Sequence, residues 1–117
     1  MDFVYHVIED GTSAARLSYA GPRNASKLAG VLQGFEECRN LDADGIGALL
    51  AQASKDARDA MRRRDPAYWH CRCREAEIGW VANVVSAARL SQGLPTIVPP
   101  TARGMLKADE VLGVTDR

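Results

Sequence analysis

Asp65-Pro66-Ala67-Tyr68-Trp69-His70-Cys71-Arg72-Cys73-Arg74-Glu75-Ala76-Glu77-Ile78-Gly79-Trp80-Val81-Ala82-Asn83-Val84-Val85-Ser86-Ala87-Ala88-Arg89-Leu90-Ser91-Gln92-Gly93 reads as one long helix with punctuation at both ends. An Asp cap followed by Pro at the first helical position starts a helix, and Gly just past the last turn stops it. The wheel shows two apolar faces. Trp69, Cys73, Ala76, Trp80, Val84 and Ala87 form one; Cys71, Ile78, Val81, Val85 and Ala88 form the other. A helix with one apolar stripe rests on a core, whereas a helix with two sits between layers. This segment is therefore expected at the centre of the fold.

Upstream, Asp42 or Asp44 caps a helix that runs to about Arg64. Ile46, Leu49, Leu50, Ala53, Ala57, Ala60 and Met61 repeat at helical spacing, opposite Lys55, Asp56, Arg58, Asp59 and Arg62. At ~1.5 Å per residue it spans about 30 Å. Before it, Asn24 or Ser26 caps a helix carrying Leu28, Val31, Leu32, Phe35 and Cys38. Gly30 and Gly34 interrupt that helix. Each weakens it by about 1 kcal/mol relative to Ala, or admits the backbone of another helix; the sequence leaves both readings open.

Phe3 to Ile8 is aromatic and β-branched, Asp10-Gly11 is a turn signal, and Ala15 to Tyr19 returns as a second strand. Downstream of Gly93, Leu94-Pro95-Thr96-Ile97-Val98-Pro99-Pro100 runs extended, and Met105 to Leu112 forms a short helix stopped by Gly113. The fold expected is α+β and mainly helical. An N-terminal β-hairpin (2–20) packs on a three-helix core (24–39, 43–64, 66–92) within a single globular domain (1–93). A Pro-rich arm with a short terminal helix follows (94–117).

At 117 residues the chain supports one core. Fifteen Lys+Arg against fifteen Asp+Glu leave no net charge, which disfavours a dedicated nucleic-acid or membrane-surface binder and permits self-association. Three cysteines cannot all pair within one chain, and Met1 to Tyr5 lacks a basic start and an apolar run. Both point to a reducing cytoplasm.

The motifs that carry chemistry are sparse. His70-Cys71-Arg72-Cys73 suggests metal, but His70 and Cys71 point about 100° apart on a helix. The further ligands, Cys38 and His6, are single, so the four-ligand spacing of a zinc site is missing and no metal or cofactor is expected. Cys71 and Cys73 fall at core positions, where a thiol is inert, so no catalytic residue is assigned. Arg62-Arg63-Arg64 is the basic run. At a helix C-terminus it complements the macrodipole. With Arg72 and Arg74, and with Tyr68 and Trp69 close by, it also supports an alternative reading as a nucleic-acid contact. Trp69 and Trp80 lie three turns apart on one face, as core or as interface. The tail Leu106 to Arg117, a short helix followed by Gly-Val-Thr, resembles the opening of a winged-helix or excisionase-type reading head. That resemblance covers about a dozen residues and is nonspecific.

The function expected is non-enzymatic. The chain reads as a small cytoplasmic regulatory or adaptor protein that binds a protein partner, such as a transcription regulator or another multi-subunit complex, and blocks its assembly or activity. It is expected to be a homodimer with no membrane contact. Its contact residues would be Trp69, Trp80, Val84, Arg62, Arg63, Arg64, Ile97 and Val98. A Cys/His metal or thiol protein is the third reading.

Overall fold

The computed structural model describes residues 25–113 of the chain. They form four helices: α1 (Ala25–Cys38), α2 (Ala43–Arg62), α3 (Tyr68–Ser91) and α4 (Ala102–Leu112). The α+β expectation is corrected: among the described residues the architecture is all-helical, with no strand. The hairpin expected over 2–20 lies outside them. The physical reason is that helices alone supply the covering layers. α1, α2 and α4 each pack on α3, which buries side chains around most of its circumference in its second half. Ile78, Val81, Ala82, Val84 and Val85 of α3 meet Cys38 of α1, Ile46 and Ala53 of α2, and Ala108 of α4 in one core.

Each helix end has a local cause. Asp42 caps α2 by accepting the Gly45 N–H at 2.8 Å. At the other end of α2, Arg64 takes the left-handed conformation, φ 52°, and the Asp65 N–H returns to the Ala60 carbonyl at 2.9 Å. Asp65 is thus engaged in closing α2, and it does not cap α3 as its position before Pro66 suggests. Its carboxylate accepts the Ala67 N–H at 2.8 Å in a short turn, and α3 begins at Tyr68. α3 stops at Gly93, φ 71°, with the Leu94 N–H on the Arg89 carbonyl. The final helix starts earlier than Met105, at Ala102, because the Thr101 hydroxyl caps it.

Close packing of α1 on α3 settles the role of two glycines. Gly30 lies on the His70 backbone and Gly34 on that of Arg74, so two residues four apart on one helix face two residues four apart on the other. The glycines admit a neighbouring backbone at their cost in helix propensity.

The segment after α3 is not a free arm. Ser86, fully buried, accepts the N–H groups of Ile97 at 2.9 Å and Val98 at 3.1 Å. Arg89 donates to the Pro95 carbonyl, and Asn83 exchanges two hydrogen bonds with Thr101. Asn83, Ser86 and Arg89 recur every third residue, so one edge of α3 straps the extended segment down and hands it to α4. No helix among the described residues is long and apolar enough to cross a membrane.

Candidate functional site

Two surfaces stand out. The first is apolar and lies where α3 ends and α4 begins. A groove of about 150 Å³ is lined by Ala87, Leu90 and Ser91 of α3 and by Met105 and Asp109 of α4. Leu90 and Met105 are exposed on it; Leu94, just past α3, and Leu106 and Leu112 of α4 are exposed as well. Leu106 is 71% exposed. Neighbouring helix positions point about 100° apart, so Met105 and Leu106 cannot both turn to the core. That adjacency is the sequence signal for this surface, and the sequence reading did not use it.

The second surface is a polar cleft where α1, α2 and α3 meet. Its centre is Arg74, 8% exposed. The guanidinium holds Glu37 of α1 in a two-pronged pair at 2.5 and 2.7 Å and reaches Asp56 of α2 at 3.2 Å. These hydrogen bonds hold the Glu37 carboxyl below its ordinary range and raise the Arg74 guanidinium above its own. Arg74 therefore ties three helices together and does not face solvent as a phosphate contact. Gln33, Asp59, Arg63, His70 and Cys71 complete the cleft, with His70 Nε2 2.5 Å from the Gln33 amide oxygen.

The residues expected to make contacts are dispersed. Val84 is fully buried and cannot reach a partner. Trp80 is half-buried against the core, with the Arg103 guanidinium 6.0 Å from its ring. Trp69, 52% exposed, lies at the start of α3 between the Lys27 ammonium, 4.6 Å from its ring, and the edge of Tyr68. The two tryptophans share a side of α3 and yet differ in burial. Ile97 and Val98 are half-buried against the core and fixed by Ser86. Arg62 pairs with Asp59, and Arg63 lies 3.7 Å from Asp65, so acidic neighbours offset the basic run.

The thiols are also separated by environment. Cys38 and Cys73 are buried and Cys71 is half-buried. Burial, with the Glu77 and Glu37 carboxylates adding to it, pushes the Cys38 thiol up to about 12. Among the described residues no three or more His, Cys, Asp or Glu side chains are placed to share a metal ion; His6 lies outside those residues. Glu77 is buried beside Gly34. Set against protein-family models, curated proteins and solved structures, the chain matches none.

Proposed function

We propose that this chain works by binding and not by chemistry, as a small helical regulatory or adaptor protein that self-associates through the apolar end of α3 and α4. The observation that carries this reading is where the exposed apolar side chains fall in the chain. Of the seven large apolar residues exposed among the described residues, five lie between Leu90 and Leu112, and two of them, Leu90 and Met105, line the groove. Scattered surface hydrophobics need no explanation, but an apolar groove with exposed side chains on both of its walls favours a covered state. Zero net charge removes long-range repulsion between copies. A second copy of the chain is therefore the occupant with the fewest requirements, and a closed symmetric pair would cover both grooves.

Sedimentation equilibrium of the purified chain under reducing conditions tests this. The parent should associate as concentration rises. Leu90→Lys and Leu106→Lys should remain monomeric with unchanged helix content, because both side chains are already exposed. A parent that stays monomeric throughout the range removes the second copy as occupant, and this reading with it.

A further inference from the structure

We propose that the cleft between α1, α2 and α3 binds a small zwitterion, a molecule that carries one carboxylate and one ammonium group. The cleft exists because α1 and α2 each pack on α3, leaving a wedge of about 280 Å³ between them. That volume lies at the lower edge of the range of about 300–1,000 Å³ usual for small-molecule sites, which suits a small metabolite. Most of its lining is polar and comes from all three helices: Gln33 from α1; Asp56 and Asp59 from α2, with Arg63 just past its end; His70, Cys71 and Arg74 from α3.

Charge decides the ligand class. Asp56 and Asp59 face Arg63 and Arg74, so the wall carries both signs in balance. A ligand of one sign meets only one of the two kinds of wall charge, while a zwitterion offers each sign a partner. Arg74 is engaged by Glu37 and Asp56 and serves as the fixed floor. The exchangeable groups are at the mouth. Arg63 has a long pair, 3.7 Å, with Asp65, and Asp59 pairs with the exposed Arg62. Exposed pairs of this kind are worth little in water, so a ligand can displace them. Asp59 lies in the last turn of α2 and Arg63 is the residue that caps it, still in the right-handed helical conformation, so the two, four apart, are neighbours at that end. Asp59 receives the ammonium and Arg63 the carboxylate, with the His70–Gln33 pair beside them.

The test is an NMR titration of the amide-labelled full chain with glycine, acetate and methylammonium at constant ionic strength. Glycine should give saturable shifts at the amides of Gln33, Asp59, Arg63, His70 and Cys71. Acetate and methylammonium should bind about tenfold more weakly, because each keeps one of two charge-assisted contacts. Arg63→Gln and Asp59→Asn should each weaken glycine by about the same factor with the rest of the spectrum in place. A response to acetate equal to that of glycine would make this a simple anion patch and overturn the proposal. So would the absence of a saturable shift with glycine, or glycine binding untouched in both variants. If a variant loses its dispersed spectrum, the comparison of the three probes decides alone.

Discussion

Gly30 on α1 lies so close to His70 on α3 that a Cβ built on it would stand 2.2 Å from the His70 carbonyl oxygen. A clash with backbone is not relieved by turning a side chain. Gly30→Ala gains about 1 kcal/mol of helix propensity and must part the two helices to fit. Overpacking of this kind costs about 1–3 kcal/mol or more, so the net change should be destabilising. Gly79 is the control. Its nearest neighbour would be the Leu50 Cδ1 at 3.8 Å, an ordinary contact, so Gly79→Ala should stabilise by about 0.5–1 kcal/mol. Urea midpoints moving in opposite directions are the expected outcome. Stabilisation by both substitutions would show that α1 and α3 are not in close backbone contact.

The Arg74–Glu37 pair predicts a pH dependence. Glu37 is held below its ordinary value in the fold, chiefly by its hydrogen bonds to Arg74. Its contribution is therefore complete above the unfolded value of about 4.3 and fades as pH falls through the folded value. Glu37→Gln should cost about 1–3 kcal/mol at neutral pH, because Arg74 keeps its burial, loses its two-pronged carboxylate partner and is left with Asp56 alone. The gap between parent and variant should narrow in acid below about pH 4. A gap that stays constant across that window would rule out this ion pair as its source.

Ser86→Ala tests the strap. The substitution leaves the Ile97 and Val98 N–H groups without their acceptor, at a cost of about 1–3 kcal/mol. Hydrogen exchange should quicken at Ile97 and Val98 and in α4, which the strap positions, while α1 and α2 keep their protection. Uniform loss across all four helices would instead mean that α4 and the main bundle unfold as one unit.

Alkylation should separate the thiols. Cys71 is half-buried at the polar cleft, while Cys38 is buried and its thiol pushed up to about 12. The thiolate is the reacting form, so iodoacetamide at neutral pH should label Cys71 first and Cys38 on the timescale of unfolding. Peptide mapping over time reads the order. Rapid labelling of Cys38 in the folded chain would contradict its burial.

Helix periodicity was legible from residue types alone. The small, regular face Ala53, Ala57, Ala60 is buried in α2 as its spacing implies, and Gly93 and Gly113 end α3 and α4 with positive φ. The two apolar faces of α3 gave away its central place. These are local properties, carried by residues within a turn or two of one another, so composition and spacing suffice to show them. Long-range packing decided the rest. Arg74 sits in a run of charged residues that reads as surface, and it becomes buried because Glu37, 37 positions away, and Asp56, 18 away, arrive on two other helices. Trp69 and Trp80 occupy the same side of α3. Trp80 packs on the core with α4's Arg103 near its ring, while Trp69 lies at the open end of the helix. A helical wheel assigns a side chain to a face. Which face meets a second helix, and at what depth, depends on contacts between residues far apart in the chain, and those form when the helices come together.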